Sequence, residues 1–160
     1  MFKKLALIII ILVILGFGFV FYRAFTSFQP EAVVEQENVE QLNLVEVENS
    51  ALLRRGSFNE IDLIHKGGGQ ASVYQTGSGS ILKLEDNFQV TNGPDLFVYL
   101  SDQANIGPDK KDIGRFISLG RLQKPAGEQN YILPDNWSDY QSVVIWCRAF
   151  GVLFSAADLR

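Results

Sequence analysis

The chain holds one cysteine and one histidine, Cys147 and His65, so any thiol or imidazole chemistry must run through these two side chains. A thiolate can act as nucleophile, metal ligand or redox group, and its reactivity follows its protonation and its access to solvent. Cys147 sits in the apolar run Ser142–Phe154, directly after Trp146. On an extended strand Val143, Ile145 and Cys147 share one face, while Val144, Trp146 and Arg148 share the other. This parity packs the thiol among β-branched aliphatics, where a neutral thiol is inert, and points the nearest cation away from it. Cys147 is therefore either a candidate redox thiol or a packed piece of core. His65, just before Gly67-Gly68-Gly69, is a candidate cofactor ligand or proton shuttle, or else a hydrogen-bonded loop residue.

Other motifs resolve more simply. Gly67-Gly68-Gly69-Gln70-Ala71-Ser72-Val73-Tyr74, followed by Ile81-Leu82-Lys83, imitates a kinase glycine loop and strand lysine. Ser72 replaces the third glycine, and no HRD or DFG follows, so the glycines are expected to form a turn that a side chain would obstruct. One histidine and no CxxC pair exclude a zinc site, and no metal site is expected. No CxxCH exists, and the only methionine is the initiator, which removes covalent haem attachment and an axial His/Met pair. Asp95, after Gly93-Pro94, is expected to accept backbone N–H bonds and lock the start of the strand that follows. Asn136-Trp137-Ser138 fits a glycosylation sequon. The remaining carboxylates form no recognisable catalytic pair, and no enzyme class is assigned.

The elements that must position these residues divide the chain in three. Residues 1–25 read as a signal-anchor transmembrane helix. Leu5–Tyr22 carries no charge and as a helix spans about 27 Å, close to the hydrocarbon thickness of a bilayer. Lys3 and Lys4 outweigh Arg23, which keeps the amino end cytoplasmic and sends the rest across. The run is longer than a signal-peptide core, and no A-x-A-like site follows it. Residues 26–50 read as an acidic linker, with six glutamates and no base between Glu31 and Glu48. Val45 and Val47 alternate with glutamates there, so its end is a candidate edge strand.

Residues 51–160 are expected to be all-β, a β-sandwich or closed β-barrel of about seven to nine short strands. Strands are predicted near Leu52–Phe58, Ala71–Gln75, Ile81–Glu85, Gln89–Thr91, Leu96–Ser101, Phe116–Arg121, Gln129–Leu133, Val143–Cys147 and Val152–Ser155. Leu96–Leu100 is apolar on both parities, the pattern of a central strand covered on two sides. From Asn49 onward 11 basic side chains face 12 acidic ones, and no Lys/Arg run marks a nucleic-acid partner.

About residues 52–159 resemble the DM-thirteen domain family, a β-rich extracellular domain often found beside DOMON and cytochrome b-type domains. The resemblance rests on His65 with Gly69 and Ala71-Ser72-Val73-Tyr74, then Leu82-Lys83-Leu84, Phe88-Gln89-Val90 and Asn92-Gly93-Pro94-Asp95-Leu96. Val98-Tyr99-Leu100-Ser101, Tyr131-Ile132-Leu133-Pro134 and Ser142-Val143-Val144-Ile145-Trp146-Cys147 follow, with Phe150, Val152, Phe154, Ala157 and Leu159 completing it. It implies an electron-transfer or oxidative role centred on Cys147, as a free thiol or as a ligand of a group such as haem. No cofactor is named by the residues themselves. These 160 residues hold no DOMON or multi-helix cytochrome domain, so a separate redox partner protein is expected. The function read from the chain is a membrane-anchored extracytoplasmic redox domain. The alternative is a non-enzymatic binding or cell-envelope module with a structural cysteine.

Overall fold

The computed structural model describes residues 50–108 and 111–160. The expected anchor helix, the linker and the edge strand at Val45–Val47 lie outside the described residues. Ten strands run in order: β1 (Ala51–Ser57), β2 (Gly67–Gly68), β3 (Gln70–Thr76), β4 (Gly79–Leu84), β5 (Gln89–Val90), β6 (Leu96–Ser101), β7 (Phe116–Arg121), β8 (Gln129–Ile132), β9 (Ser142–Cys147) and β10 (Val152–Asp158). Among the described residues the one helical element is a single 3₁₀ turn, Trp137–Asp139. Two four-stranded antiparallel sheets form, β1-β3-β4-β8 and β10-β9-β6-β7, with β2 and β5 as a small third pair.

The two large sheets share one apolar layer. Alternation along β3 and β4 sends Ala71, Val73, Leu82 and Leu84 inward, where they meet Val98, Leu100, Val143, Ile145 and Cys147 from the facing sheet. At one edge the sheets are stitched, because Arg55 and Arg160 exchange two backbone hydrogen bonds of 2.8 and 3.0 Å. No ladder joins β7 to β8 at the other edge, so among the described residues the sheets do not close into a barrel. That alternative is corrected. The two layers are held by side-chain burial and one seam.

The expectation for Leu96–Leu100 holds, and the structure shows its cause. All six residues of β6 are buried, with Leu96, Val98 and Leu100 in the shared layer. Phe97 and Tyr99 face outward into a second cluster with Val144, Trp146, Leu153 and Ala156. Loops carrying Ile61, Ile106 and Ile113 cover that outer face. Buried hydroxyls pin these loops down: Ser101 Oγ donates to Ile113 O (2.6 Å), Ser142 Oγ to Gln103 O (2.8 Å) and Ser155 Oγ to Asn59 O (2.7 Å). Each satisfies a polar group that would otherwise be costly to bury.

The glycine run is more than a turn. Gly67 and Gly68 pair with Val90 and Gln89, and a Cβ on Gly67 would lie 2.1 Å from Ser155 Oγ. Gly69 has φ +88°, and a Cβ there would meet Asn87 O at 2.3 Å. Gly69→Ala is therefore expected to cost about 1–3 kcal/mol, because it combines a left-handed backbone with a backbone clash. Denaturant titration checks this, and an unchanged midpoint would contradict it.

Tyr131 is buried in the shared layer, donating to Gln129 Oε1 (2.9 Å) and accepting from Gln123 N (3.2 Å). Burial pushes its phenol well above the ordinary value of 10.0. A group raised in the folded state lends stability that is intact below its unfolded pKa and lost as pH rises above it. Unfolding should therefore become easier above about pH 10. Tyr131→Phe should flatten that alkaline limb while costing about 1 kcal/mol at neutral pH. Tyr99, shifted the same way by burial, leaves a residual slope. Thermal melts across pH read both effects.

Candidate functional site

Cys147 ends β9, opposite Leu96 on β6 and Val152 on β10. Its exposure is 0%, and it is a free thiol in the same apolar cluster as Val143, Ile145 and Phe154. Strand parity thus placed the thiol on the face expected of it. Arg148 turns the other way. Its Nε donates to Asp95 Oδ2 (3.1 Å), and its guanidinium lies 4.2 Å from the Phe97 ring centroid. It does not serve as a cation for the thiol.

Asp95 differs from expectation. Its carboxylate takes Arg148 on one oxygen and Arg121 on the other, while its backbone carbonyl accepts Arg148 N (2.9 Å). The carboxylate is held by two guanidiniums rather than by backbone N–H groups. The reason is topological, since the β9–β10 hairpin and the end of β7 both converge on this corner.

His65 is half-buried in the loop between β1 and β2. Asp62 holds it: Oδ1 accepts the backbone N–H of Ile64 (2.9 Å) and of His65 (2.8 Å), and the ring Nδ1 lies 2.8 Å from Oδ2. These bonds hold the Asp62 carboxyl well below the usual range, the ring bond contributing most and the backbone bonds next. The His65 ring meets Phe154 edge-on at 4.5 Å. With Nδ1 engaged, Nε2 is the nitrogen left to bind or to move a proton, the arrangement that carboxylate-supported imidazoles use.

A cleft of about 210 Å³ lies beside this pair, lined by Asp62, His65, Lys111, Trp146 and the hairpin residues Gly151 to Leu153. Cys147 does not line it. Its chain neighbour Trp146 and its ladder partner Val152 do. Phe154, which touches His65 and shares the thiol's cluster, links the two candidate residues through packing. The cleft is smaller than the roughly 300–1,000 Å³ typical of cofactor sites. With Cys147 fully buried and outside this lining, the residues present do not fit a haem held by Cys147 and His65. No group of three or more His, Cys, Asp or Glu side chains among the described residues is placed to hold a metal.

Asp62 and Lys111 escaped the sequence reading, as did the contact of Phe154 with His65. Asp62 had a legible signal, an aspartate followed at two and three residues by the amides it caps. Lys111 and the Phe154 contact had none, because they depend on residues distant in sequence.

Fold and site together define an all-β domain with one sealed thiol and an aspartate-supported histidine at its loop end. Residues 57–159 match the family described as Electron transfer DM13, and the chain belongs to that family. Comparison with curated proteins gives no match. Comparison with solved structures gives none either.

Proposed function

We propose that this chain is a membrane-tethered, extracytoplasmic electron-transfer domain whose redox role centres on Cys147, with His65 as the second functional side chain. The observation that carries the reading is the match of residues 57–159 to an electron-transfer family. The apolar run Leu5–Tyr22 supports the tether, and Lys3 and Lys4 support a domain on the far side of the membrane. A thiol sealed in an aliphatic layer is shielded from disulfide exchange, which needs access to the sulfur. Its partner would be a separate redox protein, which could reach the sulfur only when the fold opens around it.

The zero exposure of Cys147 also favours a second reading, a binding or cell-envelope module in which the cysteine is core. The full chain purified from its native membrane separates the two. On the first reading its absorption or paramagnetic spectrum changes reversibly between oxidant and reductant, and the change disappears in folded Cys147→Ala. A chain that is spectrally silent across the titration and whose thiol count is the same after oxidant and after reductant supports the second reading instead.

A further inference from the structure

The domain's most exposed apolar side chains cluster at one end. Leu63 and Ile64 sit in the loop between β1 and β2, 91% and 74% exposed, and Phe150 caps the β9–β10 hairpin at 69%. Their two loops flank the same cleft, because Asp62 and His65 line one side of it and Gly151 and Val152 the other. Three large apolar groups presented to water at loop tips are not explained by the fold, which gains nothing from them.

The charge around them leans positive, with Lys66, Lys111, Arg121 and Arg148 against Glu60, Asp62 and Asp95. Lys66 follows His65, Lys111 reaches Asp62 (3.7 Å), and Arg121 and Arg148 grip Asp95. In the Asp95 group the two guanidiniums stand far more exposed than the carboxylate between them, so the outermost charges there are positive. Glu60, also exposed, lies between Asn59 and Ile61, which are pinned to the sheet. Protruding apolar side chains above a cationic collar match a lipid surface, where apolar groups enter the acyl boundary and cations meet anionic headgroups. A protein interface instead asks for a packed, shape-matched patch.

We infer that the loop tips carrying Leu63, Ile64 and Phe150 form a second membrane contact, docking the domain onto an anionic lipid surface. The inference rests in part on the tethered reading. β1 enters at the opposite end of the sheets, where Arg54 reaches Tyr140 and Ser138 just before β9 begins. The tips are thus about 20 Å away, the length of a six-residue strand. Residues 26–50, fully extended, span up to about 80 Å, enough for the domain to turn its tips onto the bilayer that holds it.

The test uses the full chain in nanodiscs of phosphatidylcholine alone or mixed equally with phosphatidylglycerol. An environment-sensitive dye is placed through Ala149→Cys at the tip or Ser138→Cys at the far end, wild type showing how little the sealed Cys147 takes up. Dye at 149 is expected to shift to the blue and be quenched by nitroxide-bearing lipid in the mixed discs, reversibly with salt. Dye at 138 should stay in water. Leu63→Ser, Ile64→Ser and Phe150→Ser combined, all at exposed positions, should reduce the tip quenching at least about tenfold. Equal, water-like signals at 149 and 138 would overturn the inference. So would energy transfer between 149 labels that grows with chains per disc, which would assign the face to a second copy. If the chain does not enter nanodiscs, the tethered reading fails separately. Mixed vesicles added to the same labelled chain then report whether the tips meet lipid.

Discussion

Phe154→Ala is expected to destabilise the domain by about 3–5 kcal/mol, the range for truncating a buried aromatic ring. The ring is 5% exposed and belongs to the layer shared by both large sheets. It also closes on backbone that has no side chain to spare. A Cβ on Gly93 would lie 2.9 Å from Phe154 Cζ, so this glycine makes room for the ring. Truncation would leave a cavity between Gly93, Leu96 and the His65 ring, which loses its edge contact. Two readouts follow. Chemical denaturation should show the full loss, and the His65 ring resonances should move while Asp62 still holds Nδ1. A loss below about 1 kcal/mol would mean that the ring is not packed as described.

The second large effect concerns the thiol. A domain of ordinary stability, about 5–15 kcal/mol, exposes a fully buried group through global opening at most about once in a thousand molecules. Cys147 in the folded full chain should therefore react with a thiol reagent at least about a thousandfold more slowly than in denaturant. The rate should track stability when stability is tuned by urea or by Gly69→Ala. Suppression of only about tenfold, insensitive to urea, would reveal a local opening of the Arg148–Gly151 hairpin. That outcome would give the thiol a route to partners that the closed structure lacks.

Local pattern carried much of the fold. Two-sided apolarity marked β6 as central, and alternation along β9 separated the Cys147 face from the Trp146 face, both as found. Punctuation by glycine and proline separated most strands. β2 was not legible, because two glycines have no strand propensity of their own. They pair with β5, and Ser155 leaves no room for a side chain on Gly67. The choice between two layers and a closed barrel was equally out of reach. It depends on whether β7 meets β8, a contact that no local signal encodes.

At the site, residue types were legible and partners were not. Cys147 and His65 stood out because each is the sole residue of its kind. The corner at Asp95 misled because a Pro-Asp dipeptide carries a turn signal whatever the carboxylate later meets. Its two arginines arrive from 26 and 53 residues away. The link from His65 through Phe154 to the thiol's cluster likewise joins residues far apart in the chain.

The central proposal is that this domain exchanges electrons through a centre that needs Cys147. Voltammetry of the full chain on an electrode, wild type beside Cys147→Ala, tests it most directly, with circular dichroism confirming that both are folded. A reversible couple in the wild type that vanishes in the alanine variant is the predicted result. No couple in the wild type, or the same couple in both, would contradict it.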